Sequence, residues 1–324
     1  MRAGPADLRA RAERLRRRMR ACDLCPRRCG VDRTAGERGY CGVAAEMPVA
    51  AVLAHHGEEP PLSGSRGAGT VFFGGCNLRC DYCQNIQISR LQVPVPACEP
   101  AALAARMLDL QRAGCHNIEL VTPSHVLPPI LEALACAAET GLVLPVVYNS
   151  GGYDAVDTLR ELEGVVDVYL PDLKYSRADT GLALSDAADY GAIARAAIAE
   201  MVRQAGEWRL DEEGCALSGV IVRHLVLPGD LAGTEEVVRF LAALAPPPRL
   251  ALMAQFHPMA ACRHPGLARP LTSEEYDRVR SLVERLGLDG WVQDLRSKDL
   301  FRPDFSLSDP FSPDGEARGG DACG

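Results

Sequence analysis

From Thr70 onward the chain alternates between short apolar runs rich in β-branched residues and longer helical patterns. The strand candidates are Val71–Phe73, Ile118–Val121, Val143–Tyr148, Val166–Leu170, Val220–Leu227 and Leu250–Ala254. Helical patterns fill 101–113, 126–140, 153–162, 187–205, 234–245 and 273–287. Gly, Pro or Asp marks many of the joints. Six strand–helix units in a row predict a parallel sheet joined by right-handed crossovers. Six is short of the eight units of a full barrel. The expected fold is therefore α/β, a partial six-unit TIM-like barrel with an open side. An open doubly wound sheet is the alternative.

Three regions are expected. Residues 1–68 form an N-terminal helix and cysteine-rich metal-binding extension, 69–300 the barrel, and 301–324 a flexible tail low in apolar content. Residues 1–20 carry eight arginines against Asp7 and Glu13, with Leu8, Leu15 and Met19 spaced for one thin apolar stripe. A solvated helix capping the body is expected there. Val49–Leu53 is a short strand or hairpin candidate, and Trp291–Leu295 an added edge strand. The Gly- and Pro-containing segment His55–Gly64 is expected to be a linker over the mouth of the barrel.

Directly after the first strand stands Cys76-Asn77-Leu78-Arg79-Cys80-Asp81-Tyr82-Cys83, a C-x3-C-x2-C loop. Three thiolates on one loop hold three corners of a cubic iron–sulfur cluster and leave one iron open. Open coordination belongs to catalytic sites and closed coordination to structural ones. A zinc loop borrowing its fourth ligand elsewhere is the alternative. Earlier, Cys22, Cys25, Cys29 and Cys41 place four thiols within twenty positions, among Arg27, Arg28, Arg33 and Arg38. That set suits either a second iron–sulfur cluster or a structural zinc. The remaining six of the thirteen cysteines are scattered and expected to be small apolar residues.

Composition narrows the class. With 324 residues, 47% apolar content and an arginine-rich N-terminus in place of the short basic stretch and apolar core expected of a secretory signal, clustered thiols point to metal ligation in a reducing, cytoplasmic setting rather than to disulfides. A net charge of −8 gives no bulk attraction to nucleic acid or membrane. No apolar run approaches the ~20 residues of a membrane helix.

Parallel barrels carry their functional groups at the carboxyl ends of the strands. Here those ends hold the three cysteines, then Thr122-Pro123-Ser124-His125, Asn149-Ser150, Asp172-Leu173-Lys174, Arg223-His224, and Gln255-Phe256-His257. Their convergence beside an open cluster defines a candidate site.

The loop after the first strand resembles the signature of the radical S-adenosylmethionine (SAM) superfamily, and within it the branch similar to pyruvate formate-lyase activating enzymes. The likeness spans about 70–260. The run Cys22–Cys41 with His55–Gly64 resembles an uncharacterised subgroup of activating-enzyme-like proteins. This implies a 4Fe–4S cluster on Cys76, Cys80 and Cys83, with SAM on the open iron. It also implies reductive cleavage to methionine and a 5′-deoxyadenosyl radical that abstracts hydrogen from an unknown substrate, inside a barrel lumen that excludes water.

The same resemblance implies residue roles. Tyr82 falls near adenine. Thr122 and Ser124 replace a Gly-Gly-Glu stretch that pairs with the SAM amino group. Asn149, Ser150 and Asp172 match residues lining a monovalent-cation site beside SAM. Lys174 and Arg223 match cations on the SAM carboxylate or ribose side, and His257 a histidine near adenine. The implied partners are an electron donor such as a flavodoxin or ferredoxin and a substrate that, in the activase version, is a protein acquiring a glycyl radical. A non-catalytic iron–sulfur electron carrier or metal-binding scaffold is the alternative.

Overall fold

The computed structural model describes residues 1–258, 262–295 and 303–312. Nine strands form one sheet: β1 (Val49–His55), β2 (Ala68–Phe73), β3 (Ile118–Val121), β4 (Val146–Ser150), β5 (Val168–Pro171), β6 (Arg209–Leu210), β7 (Ala216–Leu225), β8 (Arg249–Met253) and β9 (Gly290–Val292). The helices are α1 (Pro5–Arg18), α2 (Pro60–Ser63), α3 (Ile86–Ser89), α4 (Pro100–Arg112), α5 (Leu127–Glu139), α6 (Val156–Leu159), α7 (Ala178–Ser185), α8 (Tyr190–Ala205), α9 (Thr234–Ala242) and α10 (Ser273–Leu286).

From β2 to β9 each strand of the main path pairs in parallel with the next in sequence, while β1 joins β2 antiparallel and β6 pairs β7 antiparallel. This order never reverses. A doubly wound sheet needs a reversal, since ligand crevices in such sheets lie where strand order switches. The doubly wound alternative is thereby excluded.

Strand alternation sorts the two faces. Ile118, Leu120, Val146, Tyr148, Tyr169, Val220, Val222, Leu250 and Leu252 share one core with Leu103, Met107, Ile130, Leu134, Ile198, Val238 and Leu241 of the helices. Their neighbours Val147, Val168, Leu170, Ile221 and Ala251 form a second cluster on the other face, closed by Leu62 of α2.

The helix α1 buries Leu8, Ala12 and Leu15 in the main core. Its arginines reach acidic partners across the body: Arg9 to Glu139, Arg14 to Glu161, Arg16 to Glu132 and Arg18 to Asp157. Exposed pairs of this kind contribute little each, roughly 0–1 kcal/mol, so burial of the stripe dominates.

Two expectations are corrected. The segment 55–64 does not cover the cysteine side of the sheet; it closes the opposite end, where Asn117, just before β3, donates its Nδ2–H to the Leu62 carbonyl at 2.8 Å. The flexible tail from 301 also fails where it is described. Phe305 is buried on Phe72, and the Phe305 N–H donates to Gln87 Oε1 at 2.7 Å. Apolar residues within a polar segment found a surface to cover. The rest of that tail lies outside the described residues.

Candidate active site

A cavity of about 500 Å³ opens at the carboxyl ends of the parallel strands. Eleven of the residues expected at the site line it: Cys76, Cys80, Cys83, Tyr82, Thr122, Asn149, Ser150, Asp172, Lys174, Arg223 and His257. Each comes from a strand end or the loop after it, because parallel strands all deliver their carboxyl ends to one side.

The thiol loop is held from several directions. The Cys80 Sγ accepts from Ser185 Oγ at 3.0 Å, and Cys76 Sγ from the Leu78 N–H at 3.4 Å. Cys83 Sγ lies 3.3 Å from Ser89 Oγ. Burial, reinforced by Cys80 and Cys83, pushes the Cys76 thiol up to about 12; burial raises Cys83 as well. These thiols therefore need a cation to become ligating thiolates, as metal binding requires. Among the described residues no three His, Cys, Asp or Glu side chains are already drawn together around a single-ion position. The donor set nonetheless fits a cluster with one open corner: three thiols from one loop, all lining the cavity.

Tyr82 is buried edge-on to Tyr175 and Phe256, with its hydroxyl 2.5 Å from that of Tyr175. Burial and the neighbouring Tyr175 hold its phenol protonated, well above the usual range. Lys174 pairs with Asp172. Burial opposes its charge, but Asp172, with smaller help from Cys80, outweighs that, and the ammonium is held well above its ordinary pKa. Thr122 has φ +60°, a left-handed conformation that is an outlier for a β-branched residue. It donates its N–H to the Asn149 carbonyl at 2.8 Å.

Three assignments change. Ser124 is buried away from the cavity wall and donates to Asp154 Oδ1 at 2.5 Å. Ser150 lines the cavity, but its hydroxyl donates to Asp154 Oδ2 at 2.6 Å and accepts from the Gly152 N–H at 3.2 Å. Asp154 thus collects hydroxyls that the sequence reading gave to the SAM amino group (Ser124) and to a cation site beside SAM (Ser150). Arg223 is committed to two glutamates: Nε donates to Glu59 Oε1 at 2.8 Å, and Nη2 contacts Glu58 as well. Burial opposes its charge, and Glu59 and Glu58 more than restore it.

Below Arg223, Glu119 is fully buried. It accepts from Asn149 Nδ2 at 2.6 Å through Oε1, while Oε2 has no hydrogen-bond partner. Burial first, then nearby Glu58, raises its carboxyl well above the carboxylate range. His125 and His224 are structural. His125 Nε2 lies 2.8 Å from the Gly74 carbonyl, and His224 bridges the Leu173 carbonyl and Thr234. Both are fully buried, which depresses each to about 4.

Several cavity residues escaped the sequence reading. Gln84, Gln87, Pro303 and Phe311 line the wall, and Ser185 supports Cys80. Gln84 and Gln87 follow the cysteine loop closely enough to have been noticed; Phe311 carries no local signal.

The four N-terminal cysteines fall in one region, near enough to act on one another electrostatically but, among the described residues, not drawn around a single-ion position. Cys22, Cys25 and Cys41 are buried and Cys29 is half-buried, and all four are free thiols. This region abuts the three-cysteine loop: Arg27 Nε donates to the Asn77 carbonyl at 2.8 Å, and Gly75, at φ +81°, lies against Cys41. A Cβ on Gly75 would come within 2.7 Å of the Cys41 carbonyl oxygen.

No family model matches the chain. Against curated proteins it is 32% identical over 275 residues to the uncharacterized protein MJ0674 of Methanocaldococcus jannaschii, covering 83% of this chain and 75% of that protein. The chain belongs to the family of that archaeal protein. Among solved structures, a radical SAM methyltransferase from Sphaerobacter thermophilus aligns with a TM-score of 0.49 at 15% identity, over 75% of this chain and 69% of that one. No helix among the described residues is long and apolar enough to cross a membrane.

Proposed function

We propose that this chain is a radical SAM enzyme, built on a partial barrel whose lumen is the 500 Å³ cavity. The observation that carries the reading is the placement of Cys76, Cys80 and Cys83 in the lining of that cavity, together with polar groups from five further strand ends. The sequential strand order supports the barrel: with the long helices on one face, the other face is covered only if the sheet curls.

In this reading the three thiols hold a 4Fe–4S cluster and leave one corner to SAM. Bound and reduced, that group supplies the electron that splits the SAM sulfonium into methionine and a 5′-deoxyadenosyl radical. The electron itself comes from a flavodoxin- or ferredoxin-type donor. The chain's own residues do the rest. Lys174 offers its ammonium to the SAM carboxylate, sharing it with Asp172. Tyr82 gives adenine an aromatic surface, with His257 on the same wall. Thr122 and Asn149 present backbone and amide groups where a ligand needs donors and acceptors. Phe72, Leu225, Met253 and Phe311 are apolar and exclude water from a reactive species.

Anaerobically reconstituted protein given dithionite and SAM is expected to release 5′-deoxyadenosine and methionine. Absence of cleavage by protein carrying a full cluster overturns the reading. The activase form adds one requirement: a protein partner that gains a glycyl radical signal by electron paramagnetic resonance when incubated with the active enzyme.

A further inference from the structure

Arg33 is among the most deeply buried side chains of the molecule, at 1% exposure. Its guanidinium donates to the Ala44 carbonyl from Nε at 2.8 Å and Nη2 at 2.6 Å, and to the His125 carbonyl from Nη1 at 2.8 Å. Its remaining neighbour is Cys22 Sγ, 3.7 Å from Nη1. Among the described residues no carboxylate stands within ion-pair distance of it. An isolated charge removed from water is costly, and buried charges are paired or tied to metal sites. Neutral carbonyls solvate this cation but do not balance it.

The cysteine group beside it can supply the missing negative charge. Cys22, Cys25, Cys29 and Cys41 lie within electrostatic reach of one another, though among the described residues not already drawn around a single-ion position; Arg33 contacts Cys22 and reaches Cys41, and the Tyr40 N–H donates to Cys29 Sγ at 3.3 Å. As free thiols they are neutral and leave Arg33 uncompensated. As four thiolates around a dipositive centre they carry a net double negative charge. That holds for Zn²⁺ and for an oxidised 4Fe–4S cluster alike. Each thiol releases its proton as it binds.

We infer that Cys22, Cys25, Cys29 and Cys41 form a closed tetrathiolate metal centre, and that Arg33 is its built-in counter-charge. All four positions are filled by protein, so the centre has no open coordination and serves structure or electron transfer rather than substrate binding. Arg33 is a positioning residue: it acts through the thiolates, and its contacts to Ala44 and His125 fix it there.

The test uses the full chain with Cys76, Cys80 and Cys83 all changed to Ser, so its outcome is independent of the SAM reading. Purified without oxygen, this triple variant is expected to retain metal. Elemental analysis with acid-labile sulfide distinguishes the sources: zinc without sulfide or visible absorption, or iron with sulfide and a broad visible band. In that background Arg33→Met is expected to weaken metal retention against a chelator by roughly 10–100-fold, the scale of residues behind the ligands, whereas Arg33→Lys keeps most of it. A triple variant that is folded by circular dichroism but holds neither zinc nor iron overturns the centre. Equal retention by Arg33→Met and the parent overturns the counter-charge. Should Arg33→Met fail to fold, Cys25→Ser in the same background takes its place: loss of metal supports the centre, and full retention overturns it.

Discussion

Two groups of cysteines lie side by side in this molecule, and each has a cation near it, half-buried in one case and fully buried in the other. At the three-cysteine loop the cation is Lys174, already paired with Asp172. At the four-cysteine region it is Arg33, which has carbonyls and a sulfur but no carboxylate. The difference separates two kinds of thiol site. A balanced cation can exchange a carboxylate of the protein for one of a ligand, at little change in total charge. An unbalanced one requires a permanent anion beside it. The first arrangement suits a cavity that fills and empties, the second a centre that stays.

The comparison breaks most sharply at the ligands themselves. Changing Cys80 to Ala is expected to bring SAM cleavage down to the rate without protein, while metal at 22–41 is retained; loss of both metals together would mean that the regions are one cooperative unit. A third cation sharpens the contrast. Arg223→Met is expected to cost about 3–5 kcal/mol in urea unfolding, because it strands Glu58 and Glu59 in the interior. Unchanged stability with lost SAM binding would instead return Arg223 to the role the sequence assigned it.

Acid probes the body that both regions share. His224 is held at about 4, against an unfolded value near 6.5. Above 6.5 both states are neutral and nothing is lost. As pH falls from 6.5 toward 4 the unfolded chain takes up a proton that the fold refuses, and stability drops by about 3 kcal/mol. Denaturant midpoints measured across that window in the native chain and in His224→Gln test this; parallel slopes rule it out. The smallest effect concerns the exchangeable cation. Lys174→Met is expected to weaken SAM binding roughly 10–100-fold by equilibrium dialysis, the worth of one charged hydrogen bond. It should leave iron content intact, whereas an equal loss of iron would make Lys174 a support of the loop.

The sequence showed what is local and periodic. Ile118–Val121 was placed to the residue, and the alternation located every long strand of the parallel path. It also placed eleven site residues on one cavity, since strand ends in a parallel sheet share a side. What stayed hidden were partners far apart in the chain. Arg223 looked free for a ligand because Glu58 and Glu59 stand more than 160 positions away. Ser124 and Ser150 looked like ligand contacts because nothing marks Asp154 as their acceptor. The helix α7 went unnoticed, with its weak stripe and its left-handed stop at Asp186, yet its last residue, Ser185, supports Cys80.

Phe305 and Gln87 are 218 positions apart, and their hydrogen bond ties down a segment whose Pro303 and Phe311 line the cavity together with Gln87. On the ribosome, the cysteine loop emerges long before that segment does. During synthesis the three thiols emerge before Pro303 and Phe311, which add to the lining of the same cavity. The order in which the chain is made gives the cofactor a time to enter before that lining is complete.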